Sequence, residues 1–353
     1  MRYKLLGRSG LRVSELCLGT MAFGEDWGWG ASKEESRRIL DAFDEAGGNF
    51  IDTADKYTNG TSERFVGELI APERDRWVLA TKYTLARDPR DPNGAGNHRK
   101  CLVSALDASL ERLGTDYVDL LWVHAWDSLT PIEEVMRALD DQVRAGKVLY
   151  VGVSDMPAWL VSRGNTLAEM RGWTPFAAMQ LQYSLIERTI EREHLPMARA
   201  LDLATTAWGP LGSGLLTGKY SGDSQPTEED GRLGHASARA SGVLTDRNLA
   251  IAEAVREIAG DTGATPAQVA IAWLLTRPGQ VIPILGARKE SQLRDNMGAL
   301  DVELAPEQLA RLEELSRVDL GFPTEFLEGL KDDGEIFGEK FRQIDDHRAL
   351  ARS

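Results

Sequence analysis

Eight short apolar runs, most of them followed by a segment of helical periodicity, constrain this chain more than any other feature. The runs are Leu16–Leu18, Phe50–Ile51, Val78–Ala80, Val118–Val123, Leu149–Val153, Ala177–Leu181, Ala204–Ala207 and Val281–Leu285. Between them, segments such as Lys33–Ala46, Arg99–Leu113, Pro131–Ala145 and Arg247–Ala259 put Leu, Ile and Ala on one face and Glu and Arg on the other. Strand followed by helix, repeated, gives parallel strands, because a parallel neighbour is reached only through a long crossover. Eight such units close into a (β/α)8 barrel, the fold expected here, with an open doubly wound sheet as the alternative. Tyr3–Ser14 fits no such unit. It reads as a hairpin around Gly7–Gly10 that caps the end of the barrel where strands begin. Ser221–Gly242 and Asp319–Ser353 read as long loops. The expected organisation is one domain over 1–353, with a core at about 3–318 and a tail at 319–353.

Charge narrows the partners. The 353 residues carry 41 Lys+Arg against 55 Asp+Glu, a net charge of −14. Such a surface repels nucleic acid and anionic membranes, so a small molecule is the expected partner, and an anionic cofactor must find a local basic site. Cys17 and Cys101 stand in apolar stretches and read as reduced, buried thiols. No Cys/His cluster of zinc-ligand spacing is present, so no metal is expected. The opening residues lack the apolar run of a signal peptide, and nowhere is there a run of ~18 apolar residues, so a cytoplasmic protein is expected. The oligomeric state is not legible.

In a barrel, chemistry gathers where strands end and loops begin. Asp52 follows Phe50-Ile51, Tyr57 lies in the loop beyond it, Lys82 closes the run starting at Val78, and His124 follows Val118–Val123. Singly, each has an ordinary explanation: a turn-capping Asp, a half-buried ring, a solvated lysine, a core histidine. Together, on three consecutive strands and at one end, they suit proton donation to a carbonyl oxygen. A free phenol has a pKa of about 10, too high for easy donation near neutrality. A neighbouring ammonium, here Lys82 held by Asp52, lowers it. His124 can then hydrogen-bond and orient the substrate oxygen.

Longer stretches carry a resemblance: LCLGTMAFG (16–24), NFIDTADKY (49–57) with NGTSERFVGE (59–68), TKY (81–83), VDLLWVHAWD (118–127), VGVSD (151–155), MQLQYSL (179–185), WGPLGSGLLTGKY (208–220) and GARKESQLRDN (286–296). With them the sequence resembles the aldo-keto reductase superfamily from about Tyr3 to about Val318. The likeness is to bacterial enzymes of broad specificity, a group related to the potassium-channel β subunits. The family's Asp, Tyr, Lys and His tetrad falls on Asp52, Tyr57, Lys82 and His124. The resemblance implies an NADPH-dependent oxidoreductase that reduces aldehydes or ketones to alcohols by hydride transfer, with Tyr57 as general acid. Two alternatives stay open: an NADP-binding regulatory protein like the channel β subunits, which lack the histidine, and a reductase of nucleotide-linked deoxysugars.

A dinucleotide-binding Gly-rich turn does not follow the first strand, and Gly212, Gly214 and Gly218-Lys219 lack the spacing of a phosphate loop. The resemblance instead implies an extended NADP(H) across the barrel mouth. Ser154 and Gln180 would hold the carboxamide, Trp208 would stack on the nicotinamide, Gly19, Thr20 and Met21 would complete that end, and Asp52 would count among the cofactor-binding residues as well. Backbone from Gly209, Pro210, Leu211, Gly212 and Gly214, with Lys219 and a clasp from Arg232, would surround the pyrophosphate. Arg288 beside Gly286 would meet the 2′-phosphate, with Gln292 and Asn296 near the adenine; the guanidinium favours NADP over NAD. Asp155 stands where the family usually has asparagine, and an ionised carboxylate accepts but does not donate. Five aromatic residues near strand ends, Phe23, Trp27, Trp29, Tyr83 and Trp126, are expected to line a substrate pocket suited to aromatic or sugar-like carbonyl compounds.

Overall fold

A computed structural model describes residues 1–219, 242–332 and 334–345. Strands β3 (Cys17–Gly19), β4 (Phe50–Asp52), β5 (Val78–Tyr83), β6 (Val118–Val123), β7 (Val148–Ser154), β8 (Phe176–Gln182), β9 (Ala204–Trp208) and β10 (Val281–Gly286) pair in parallel and close into a barrel, β10 returning to β3. The eight apolar runs thus became the eight staves, and the closed barrel, not the open sheet, is formed. The first five crossovers carry helices α1 (Lys33–Glu45), α2 (Thr61–Ile70), α3 (Arg99–Leu113), α4 (Ile132–Arg144), α5 (Ala158–Arg171), and the next carries the short α6 (His194–Leu201). Helices α7 (Asp246–Thr262) and α8 (Pro266–Leu275) precede β10; α9 (Glu290–Met297) and α10 (Pro306–Ser316) follow it. Side chains start several of these helices. Ser32 accepts from the Glu35 N–H, and Thr265 and Gln268 form a capping box around Pro266.

Strands β1 (Tyr3–Leu5) and β2 (Arg12–Ser14) form the expected hairpin. Its bonds go to residues that enter strands: Gly7 N–H to Gln280 Oε1, Ser14 N–H to Asn49 Oδ1 and Arg8 N–H to the Asp202 carbonyl. Leu6 and Val13 pack into the barrel interior, so the hairpin stoppers the end where strands begin. In the tail, the reading of a plain loop needs correction: residues 324–332 form helix α11 (Thr324–Asp332). Phe326 and Leu327 on it remain exposed.

Alternation along each strand sorts the core in two. Leu18, Ile51, Leu79, Leu121, Val153 and Met179 face the helices in the large outer core. Cys17, Phe50, Ala80, Leu120, Trp122, Ala178 and Ile284 fill the barrel itself. Trp122 is the largest of these, and it fits because Gly152 lies beside it in register; a Cβ at 152 would stand 2.4 Å from the indole.

Candidate active site

Two residues further along the inward-facing register, the apolar filling gives way to chemistry. Asp52 follows Phe50, Lys82 follows Ala80, His124 follows Trp122, and Gln180 follows Ala178. Ser154 follows Gly152, and Trp208 ends the Ala204–Thr206 series. Strand alternation therefore brings these side chains to one layer at the carboxyl end of the barrel.

Lys82 is fully buried and is paired with Asp52 Oδ2; its Nζ also donates to the Thr53 carbonyl at 2.7 Å. The second oxygen of Asp52 accepts from Gln180 Nε2 at 3.0 Å, so both carboxylate atoms are held. Burial opposes the Lys82 cation, but Asp52 and Tyr57 outweigh it and hold the ammonium above the usual lysine value. The ammonium lies 4.7 Å from the centroid of the Tyr57 ring. His124 meets that ring edge-on, centroids 5.9 Å apart at 84°. Burial, then the Lys82 charge, pushes the His124 pKa down to about 3. The imidazole is therefore neutral near pH 7, and its buried Nδ1 makes no hydrogen bond to the described residues.

Tyr57 is presented by a strained turn. Thr58 and Asn59 have φ of 44° and 54°, in the left-handed region that a β-branched residue rarely enters, and Gly60 follows at 87°. Thr58 is buried, and its hydroxyl donates to the Phe23 carbonyl at 2.6 Å while accepting the Ser62 N–H. These bonds offset the strain and fix the ring over Lys82.

A second set of residues, not singled out from sequence, braces His124. Asn97 is fully buried between loops; its Nδ2 donates to Thr84 Oγ1 and the Ala125 carbonyl, and its Oδ1 accepts the Asp127 N–H. Asp127 in turn accepts from the Asn97 and Thr130 amides. His124 N–H reaches the Tyr83 carbonyl and Thr84 Oγ1. Asp127, which closes the VDLLWVHAWD stretch, was a visible signal; Asn97, before a helix start, gave none. Beneath the loop that carries Tyr57, Asp55 is 5% exposed with neither oxygen bonded. Burial and the neighbouring Glu63 raise its pKa to about 7, against Arg112 and Arg87. Glu63 is itself buried, accepting from Thr81 Oγ1 and Arg112 Nε.

A sequence model of the aldo/keto reductase family matches residues 15–317. The chain belongs to the aldo/keto reductase family. It is 39% identical to norsolorinic acid reductase of Aspergillus flavus over 333 residues, 92% of this chain and 83% of that protein. It is 38% identical to an aryl-alcohol dehydrogenase (NADP(+)) of Phanerodontia chrysosporium, over 89% of this chain and 85% of that one. An aryl-alcohol dehydrogenase of Pestalotiopsis microspora is 38% identical over 92% of this chain and 85% of its own length. These relatives are fungal, and the narrower likeness to bacterial enzymes and channel β subunits is not what they bring out. The chain is an oxidoreductase of this family.

Against that family, the remaining expected residues differ in where the fold places them. Ser154 and Gln180 are register partners at the barrel mouth, and Trp208 donates its indole N–H to Asp155 Oδ1 at 3.2 Å. Arg288 and Lys219 are exposed, Gln292 is half-buried on α9, and Asn296 is buried one turn on. Other expected groups are already engaged within the fold. Thr20 is buried and its hydroxyl donates to the Asp52 carbonyl; the Gly212 and Gly214 amides donate to the carbonyls of Gly209 and Leu211; and Gln292 Oε1 accepts the Arg288 N–H. Those bonds tie strands and turns together. Gly19 is packed against Ile284, Met21 and Leu211 are half-buried, Pro210 is buried, Gly286 is exposed, and Arg232 lies outside the described residues.

Two of the five pocket aromatics are corrected. Tyr83 has the outward register of Leu79 and is 1% exposed beneath the helices, its hydroxyl on the Asn97 carbonyl. Phe23 is equally buried, because the loop after β3 folds back through a Phe23–Ala31 bridge. Nearness to a strand end was the sequence argument; alternation and loop closure override it. Trp27, Trp29 and Trp126 remain half-buried beyond the strand ends, with the Trp27 and Trp29 rings 5.6 Å apart. Among the described residues no cluster suits a metal ion, and no helix is long and apolar enough to cross a membrane.

Proposed function

We propose that this protein reduces aromatic aldehydes or ketones to alcohols with NADPH, and runs the reverse oxidation with NADP+, Tyr57 exchanging the proton. The observation that carries the reading is the buried Lys82 ammonium, fixed by Asp52 and lying against the Tyr57 ring with His124 at its edge. A cation in that position favours the phenolate, which eases loss of the Tyr57 proton to a substrate oxygen. Asp52 keeps Lys82 charged despite its burial and fixes where the charge sits. His124, neutral, is suited to donate a hydrogen bond to that oxygen without competing as an acid. No side chain needs to attack the substrate.

The dinucleotide supplies the hydride when bound. The residues present fit it. The mouth carries an indole at Trp208, polar groups at Ser154 and Gln180, and a left-handed turn at Gly212, Ser213 and Gly214 of the kind that lets backbone approach phosphate. Exposed Arg288 suits a phosphate monoester, which supports NADP over NAD. Trp27, Trp29 and Trp126 would hold the aromatic part of the substrate, in keeping with the aryl-alcohol and norsolorinic acid activities of the relatives' names.

Tyr57→Phe tests the reading. The variant should lose turnover of benzaldehyde-type substrates by about a thousandfold or more, while NADPH still quenches tryptophan fluorescence. Activity within tenfold of the parent would refute Tyr57 as the proton donor.

A further inference from the structure

At the end of β7 the chain places an acid where it has no conformational need of one. Asp155 has φ of +46°, in the left-handed region, which asparagine enters at least as readily. Its N–H donates to the Gln180 carbonyl, fixing it at the barrel mouth, and Oδ1 accepts the Trp208 indole N–H. An asparagine oxygen would accept that bond equally well. What the acid adds is charge. The groups that face it are Ser154 at the end of β7, Trp208 on β9, Lys82 on β5 and His194 on α6. Burial raises its pKa, while the bonds from Trp208 and Ser154 and the charges of Lys82 and His194 act the other way. The carboxylate thus accepts from the edge of Trp208, the indole that ends β9 at the barrel mouth.

We propose that Asp155 makes the site select the redox state of its cofactor, its carboxylate favouring the positively charged oxidised nicotinamide over the neutral reduced ring. This rests on the proposed reading that Trp208 stacks on the nicotinamide. A ligand shifts an equilibrium only by its differential affinity for two states, and here the two states differ by one positive charge. Tighter binding of the oxidised form makes the bound reduced form the stronger hydride donor. It also slows release of the oxidised form after carbonyl reduction. The selection acts through Coulomb attraction at a partly exposed site, so salt weakens it.

The test is isothermal titration of the full chain with NADP+ and with NADPH at pH 8, in wild type, Asp155→Asn and Asp155→Ala. Asp155→Asn keeps an acceptor for the Trp208 indole and removes the charge; Asp155→Ala removes both. The expected result is a rise of about five- to tenfold in the ratio of the NADP+ to the NADPH dissociation constant in Asp155→Asn, the size expected of one partly exposed charge. The NADPH constant itself should move less than about twofold, and Asp155→Glu should recover most of the ratio. An unchanged ratio in Asp155→Asn, or equal weakening of both forms, would overturn the proposal and leave Asp155 as a tether for Trp208. If wild type binds neither form, the cofactor reading itself fails and this inference with it.

Discussion

Asp55 lies three residues after Asp52 and two before Tyr57, yet its side chain leaves the candidate site and is buried with both oxygens unbonded. Desolvation, with Glu63 beside it, raises its pKa from 3.8 to about 7, in spite of the charges of Arg112 and Arg87. In the unfolded chain the carboxyl titrates near 3.9. Between those two values the unfolded state has released the proton and the native state still holds it. Native stability therefore falls as pH rises through this window, and the loss is complete above about pH 7. A shift of about 3 pK units at about 1.4 kcal/mol each sets a ceiling of about 4 kcal/mol. Relaxation and water entry reduce what is realised, so about 2 kcal/mol is the expected size.

Asp55→Asn removes the titration and keeps the shape. Urea unfolding of the full chain at pH 5 and pH 8.5 should show the variant no more stable than wild type at pH 5, since an amide nitrogen gains nothing beside Arg112 and Arg87. At pH 8.5 the variant should be the more stable by about 2 kcal/mol. Other titrating groups contribute to both proteins, so the difference between them isolates Asp55. Parallel pH dependences in the two proteins would refute the claim that this carboxyl is held protonated by its surroundings.

Two further outcomes follow from the same geometry. His124 titrates at about 3 when folded and near 6.5 when unfolded, so the native state is destabilised by acid between those values; His124→Gln should lose less melting temperature than wild type from pH 7 to pH 5, and the wild-type kcat/KM profile should show no imidazole limb between pH 5 and 8. Gly152→Ala drives a methyl to 2.4 Å from the Trp122 ring inside the filled barrel; it should cost about 1 to 3 kcal/mol in urea unfolding, and an unchanged midpoint would show that Trp122 can move aside.

Much of this was legible in the sequence because it depends on period and position. The eight runs mark the staves within one residue at each end, except that Val78–Ala80 stops three residues short of Tyr83, since buried parallel strands are nearly continuously apolar. Asp52, Lys82 and His124 were found by looking just past those runs. Tyr83 was misplaced by the same rule. Lys82 and Tyr83 are adjacent at one strand end, so proximity alone cannot separate them. Counting by two from Ala80 does: 82 faces the barrel, and 83 faces the helices.

The rest was hidden because it depends on contacts between distant loops. Asn97 joins Thr84, Ala125 and Asp127 through hydrogen bonds that no local pattern encodes. Thr58 tolerates a left-handed φ only because Phe23, thirty-five residues earlier, supplies a carbonyl. Asp55 is the sharpest case: it stands between Asp52 and Tyr57 in the sequence, yet nothing local shows that its side chain is buried beside Glu63. The strand ends at Asp52, alternation stops there, and the loop carries Asp55 toward Glu63 instead. The inward register thus accounts for the strand-end residues of the site, and it ceases to apply at the first loop residue. Beyond that point, which residue reacts is decided by how the loops are bonded together.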